Sequence, residues 1–123
     1  MAVTATRTIT VVFSGSGSLT DVVGTEPFSA ANNTTSIAKM DLVSLASGNN
    51  TITVPSVTGF SVVAVTIVPP PGNTNLVTLK GVNGDTGFGI HKTDPTCLAL
   101  DTSTSSFVLS AANTINGVRL IWN

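Results

Sequence analysis

Short runs of β-branched residues alternate along this chain with clusters of glycine, proline, serine and asparagine, and that rhythm sets the expected architecture. Over residues 7–13, Ile9, Val11 and Phe13 fall on one side and Thr8 and Thr10 on the other, the period of two that gives a strand one core face and one wet face. The run stops at Ser14-Gly15-Ser16-Gly17-Ser18, read as a flexible turn. Its two glycines lack the strand-to-helix setting that a phosphate-cradling loop needs.

Residues 37–45 are ambiguous. Ile37, Met40 and Leu45 fit a helical turn, whereas Ala38, Met40 and Leu42 alternate with Lys39, Asp41 and Val43, and the alternation predicts a strand. Gly48-Asn49-Asn50 supplies residues that accept left-handed backbone angles, so Thr51-Ile52-Thr53-Val54 is expected to start the partner strand, closed by Pro55, which has no ladder donor. The run 60–68 is apolar on nearly every position. Such a strand is expected to be central in its sheet, or covered by a second layer or a neighbouring subunit. Pro69-Pro70-Pro71-Gly72-Asn73 ends it, a strand resumes over 76–82, and shorter pieces follow at 87–90, 97–100, 106–110 and 117–122. On the last of these, Val118, Leu120 and Trp122 share the face expected to plug the core, with Ile121 beside Arg119 on the other.

No repeat period and no linker interrupts the 123 residues. The expectation is one all-β domain spanning 1–123, an antiparallel sandwich of about eight short strands, with a jelly roll as one way of closing it.

Charge changes the picture of the surface. Charged residues make up 9% of the chain, against about 25% in an average soluble protein. The surface is left to Ser, Thr, Asn and apolar side chains, and a net charge of -1 gives little mutual repulsion, so association is favoured. Arg7, Lys39, Lys80, Lys92 and Arg119 are scattered and matched by acids, which argues against nucleic-acid binding. A hydrophobic content of 41% excludes intrinsic disorder. No apolar run reaches the length of a membrane span. The opening Met1-Ala2-Val3-Thr4-Ala5-Thr6-Arg7 lacks the layout of a signal peptide, so the expected product is complete from Met1 and made in the cytoplasm.

Candidate chemistry is sparse. Cys97, the single cysteine, has no internal disulfide partner and is expected as a small apolar core residue; one cysteine with one histidine falls short of a zinc site. Asp85-Thr86-Gly87 is the tripeptide of aspartic proteases, in which two such carboxylates share a proton across a dimer axis and activate water. In that family it follows an apolar strand and precedes a small residue. Here it follows Val82-Asn83-Gly84 and precedes Phe88, and a glycine-rich hairpin turn is the expected reading. His91 lies beside Lys92 and Asp94, in the half of the chain that also holds Lys80, Asp85 and Asp101; a surface loop is expected, with a pH-sensitive interface contact as the functional alternative. Asp85, Asp94 and Asp101 do not follow a calcium-loop spacing, so neither metal nor cofactor is expected. Asn32-Asn33-Thr34 and Asn49-Asn50-Thr51 match glycosylation acceptors but are expected to stay unmodified. With no Tyr, one Trp and five Phe, the aromatics are expected in the core, which leaves a glycan-binding, receptor-recognising module as an alternative resting on Asn and Thr.

Thr66-Ile67-Val68-Pro69-Pro70, Gly72-Asn73-Thr74, Val77-Thr78-Leu79-Lys80-Gly81-Val82, Gly84-Asp85-Thr86-Gly87, Phe107-Val108-Leu109 and Val118-Arg119-Leu120-Ile121-Trp122 together resemble the small β-rich structural proteins of tailed-phage virions. The resemblance covers residues 51–123 and extends more weakly to Arg7-Thr8-Ile9-Thr10-Val11. It implies a non-enzymatic subunit of a virion, attached to the tail (tip, baseplate or fibre) or to the capsid exterior, where a decoration or cement protein is the specific alternative. Its implied partners are other virion proteins and further copies of itself, as a trimer or a ring. No catalytic residue is carried over, and the homodimeric protease remains the remote alternative.

Overall fold

The computed structural model describes residues 7–8, 31–32 and 38–123, and the chain divides into two compact units, residues 1–36 and 37–123. In the first unit β1 (Arg7–Thr8) pairs antiparallel with β2 (Ala31–Asn32), with Arg7 opposite Asn32 and Thr8 opposite Ala31. The rest of the strand expected over 7–13, and the glycine-serine turn after it, lie outside the described residues.

The second unit is the sandwich. Its strands are β3 (Lys39–Leu45), β4 (Gly48–Thr53), β5 (Ala64–Val68), β6 (Val77–Lys80), β7 (Phe88–Ile90), β8 (Thr96–Ala99), β9 (Ser106–Ala111) and β10 (Ile115–Trp122). The antiparallel pairs are nested: β6 with β7, β5 with β8, β4 with β9, β3 with β10. That is one long hairpin rolled on itself. Pairing of β10 with β5 and of β6 with β9 then closes two four-stranded sheets, ordered β3-β10-β5-β8 and β4-β9-β6-β7. The result is an eight-stranded jelly roll, the all-β sandwich expected from the strand rhythm.

One expectation is corrected. β4 is not the hairpin partner of β3, because the two lie in different sheets. A two-residue hairpin turn of the favoured kind needs two successive left-handed residues, or a glycine at the first position leading straight back along the same sheet. Here Gly48 alone takes a positive φ (98°), and Asn49 and Asn50 already belong to β4. The Asn50 side chain instead stabilises a corner between sheets: its Nδ2 donates to the Ala46 carbonyl at 2.9 Å, and its Oδ1 accepts the Ala46 N–H at 2.9 Å. The apolar run 60–68 is also shorter as a strand, which begins at Ala64, but β5 is central as expected, with β10 on one side and β8 on the other.

The core lies between the sheets. Val118, Leu120 and Trp122 of β10 face it together with Val65, Ile67, Leu45, Phe107 and Leu109, and Trp122 is fully buried. Each such side chain contributes about 1.5–3 kcal/mol on burial. The Trp122 and Phe107 rings meet tilted, with centroids 6.2 Å apart. Within β10 a bulge sets Asn116 and Gly117 against the single Ser44, with Gly117 at φ 83°. The extra residue lets Ile115 and Val118, three positions apart, both point inward.

Candidate functional site

Strand register decides which side chains share each outer face. On the β3-β10-β5-β8 sheet, Met40 lies opposite Ile121, Ile121 opposite Thr66, and Thr66 opposite Cys97. The next row runs from Leu42 through Arg119 to Val68. Met40 and Leu42 are 57% and 72% exposed. Arg119 is the one charge in these two rows. Four strands about 4.8 Å apart and about 20 Å long cover on the order of 400 Å² in plan, which the apolar side chains of these rows share with Thr66, Cys97 and Arg119.

The opposite sheet presents different chemistry. One outer row is Asn49, Ser110, Thr78 and Gly89; another is Thr51, Val108 and Lys80; Thr53 and Ser106 pair beyond them. Val108, the aliphatic member, is buried between its neighbours. A sequence poor in charge thus folds into a sandwich with one outer face richer in aliphatic side chains, interrupted by Thr66 and Arg119, and one richer in hydroxyls and amides.

Along one flank, between edge strands β7 and β8, runs a groove of about 460 Å³ lined by Leu79, Phe88, Leu98, Leu100 and Phe107. Phe88 lies opposite Leu79, on the core-facing side of β7, yet is 61% exposed.

The residues singled out for chemistry are dispersed. Successive connections of the roll lie at alternate ends. At one end Ser47 Oγ donates to the Ala112 carbonyl, Asn73 Nδ2 to the Lys92 carbonyl and Asn113 Nδ2 to Asn75 Oδ1, tying four loops together. His91 belongs to this end. Its Nδ1 accepts the N–H of Asp94 at 2.9 Å and of Thr93 at 3.3 Å, so the ring caps the β7–β8 loop, with an Asp94 carboxylate oxygen 3.5 Å away. Asp85 and Asp101 lie in the β6–β7 and β8–β9 loops of the other end.

Asp85 spends one oxygen on its own loop, where Oδ2 accepts the N–H of Gly81 at 3.1 Å and of Val82 at 2.9 Å. Gly87 follows at φ 68°, and a Cβ there would collide with the Leu79 carbonyl. Backbone geometry therefore accounts for both the Asp and the Gly of Asp85-Thr86-Gly87. Asn49 donates through Nδ2 to the Asn83 carbonyl, and its Oδ1 accepts from Lys80 Nζ.

Cys97 corrects its expectation. It is exposed on the outer face of β8, with Sγ 3.4 Å from Thr66 Oγ1, because the strand alternation turns Leu98 inward instead. Among the described residues no three of His, Cys, Asp and Glu come together around a point where a metal ion could sit, and no helix is long and apolar enough to cross a membrane.

No family model, curated protein or solved structure matches the chain.

Two features escaped the sequence reading. The alternation in β3 was visible, but which side met the core was not, since Met40 and Leu42 are the more hydrophobic set and turn outward while Asp41, Val43 and Leu45 turn in. A hydroxyl-rich hollow at the end bearing Asp101 depends on two loops 40 residues or more apart, a pairing with no local signal.

Proposed function

We propose that the protein is a non-catalytic structural subunit of a phage particle, attached to the tail or to the capsid exterior through protein–protein contacts. The observation that carries this reading is the aliphatic outer face of the β3-β10-β5-β8 sheet, set against a hydroxylated face on the other side. Covering Met40 and Leu42 with a partner takes apolar surface out of water, which favours association at this face. The low net charge supports the same reading, because copies of the chain repel one another weakly. The jelly roll is compatible with it but does not select it, since the fold serves capsid subunits, lectins and cupins alike. The phage context rests on the resemblance of residues 51–123 to virion proteins.

Quantitative mass spectrometry of purified particles tests the proposal. Stoichiometric presence is the expected result. A copy number near that of the major capsid protein assigns capsid decoration, a few copies assign the tail, and absence from the particle overturns the reading.

A further inference from the structure

The end of the jelly roll opposite His91 carries a hollow of about 320 Å³ between the β4–β5 and β8–β9 loops. Two backbone hydrogen bonds fix the loops to each other: Val54 N–H donates to the Ser105 carbonyl at 2.9 Å, and Leu100 N–H to the Val63 carbonyl at 2.7 Å. The walls carry six hydroxyls, Ser56 and Ser61 from one loop and Thr102, Ser103, Thr104 and Ser105 from the other. Of these, Ser103 donates through Oγ to Asp101 Oδ1. The other five side-chain hydroxyls make no hydrogen bond to protein among the described residues. Phe60 is also in the lining; it is half-buried and stands outside the core cluster.

Val54, Pro55 and Val62 complete the lining, so hydroxyls and apolar groups stand side by side. Hydroxyls that both donate and accept match a ligand that does the same, and an aromatic ring offers a face to aliphatic C–H groups. The one charged residue in these two loops is Asp101, whose carboxyl is held below the ordinary range first by the Ser103 hydroxyl and then by the Ser103 N–H. No cation lines the hollow. Anionic ligands are therefore disfavoured and neutral polyols are not. The aromatic scarcity that counted against sugar binding loses its force, because Phe60 is not consumed by the core.

We propose that this hollow is a binding site for a neutral sugar, with Phe60 against the apolar face of the ring and the Ser and Thr hydroxyls bonding its hydroxyl groups. The site is separate from the aliphatic sheet face and does not depend on what that face contacts.

The test is a ¹H–¹⁵N NMR titration of the whole protein with the methyl glycosides of glucose, galactose, mannose and N-acetylglucosamine, together with a glycan array. The expected result is saturable shifts in the amides of 60–61 and 102–105 for at least one sugar, little changed by salt. Phe60→Ala weakens that binding about tenfold, the scale of one lost ring contact. Because Phe60→Ala could loosen its loop, the double variant Thr102→Val with Thr104→Val, which keeps side-chain shape and removes two hydroxyls, provides a second arm and is expected to weaken binding with the melting temperature kept. No saturable shift with any of the four glycosides and no array signal overturns the proposal. So do shifts that map to the sheet faces, or binding unchanged in both variants.

Discussion

The indole N–H of Trp122 donates to Asp41 Oδ2 at 3.0 Å, and the other oxygen of that carboxylate meets Lys39 Nζ at 3.1 Å. A fully buried ring thereby reaches a partly exposed carboxylate on the neighbouring strand, and its one polar group is not left dry. It also explains the orientation of β3: turning Asp41 toward the core side gives Trp122 its acceptor and turns Met40 and Leu42 out.

Trp122→Ala is expected to cost about 3–5 kcal/mol, the range for emptying a large aromatic site. Asp41→Ala is expected to cost about 1–3 kcal/mol, because the indole N–H loses its acceptor. Urea unfolding of a double-mutant cycle with Trp122→Phe separates pairing from packing. The Asp41→Ala penalty shrinks in the Trp122→Phe background. An equal penalty in both backgrounds would show that the hydrogen bond contributes nothing.

The β6–β7 loop permits a contrast between two glycines. Gly87→Ala places a Cβ against the Leu79 carbonyl at a positive φ and is expected to lower the melting temperature sharply. Gly84→Ala meets nothing within 4 Å and is expected to be tolerated. Asp85→Asn keeps an acceptor for Gly81 and Val82 and stays close to wild type, whereas Asp85→Ala loosens the loop. Peptidase activity abolished by Asp85→Asn would reverse the assignment of this tripeptide to a turn.

On the outer face, Leu42→Lys is expected to change folding stability by no more than about 0.5 kcal/mol, since the side chain is exposed. The same change removes binding to particles in co-sedimentation and lowers any self-association seen by light scattering. Thr51→Lys on the opposite sheet leaves both intact. Binding to particles retained by Leu42→Lys would mean that this face is not the contact surface.

Asp101 supplies a pH signature. Its folded carboxyl titrates below the ordinary value of 3.8, because the Ser103 hydroxyl and N–H bond its charged form. A carboxyl depressed on folding contributes stability that is present above the unfolded value and lost as pH falls through the folded one. Carbon-detected NMR is expected to place the Asp101 midpoint below 3.8, and Ser103→Ala to raise it. An unmoved midpoint in that variant would assign the shift to another cause.

Much of the sandwich was legible in the sequence. Alternation in 117–122 identified Val118, Leu120 and Trp122 as the core face of β10, and proline and glycine marked the strand ends. What was not legible involves partners distant in the chain. Gly48-Asn49-Asn50 carries the local signal of a hairpin, and only the pairing of β4 with β9 makes it a corner between sheets. Residue type alone points Cys97 to the core but is silent about the parity of β8, which turns it out. The hydroxyl hollow needed Phe60 to be spared by a core that had enough other aromatic and aliphatic side chains to close without it.

Nesting the strand pairs also sets the order in which they can close. The β6–β7 hairpin spans a short loop, whereas β3 and β10 come from opposite ends of the unit, so the entropy of loop closure favours assembly from the inside outward. β10 is the last strand of the roll in chain order and the one that sits between β3 and β5. During synthesis β3 therefore has no partner in its sheet and β5 keeps an open edge until residues 115–122 leave the ribosome. The strand carrying Trp122 closes both edges at once.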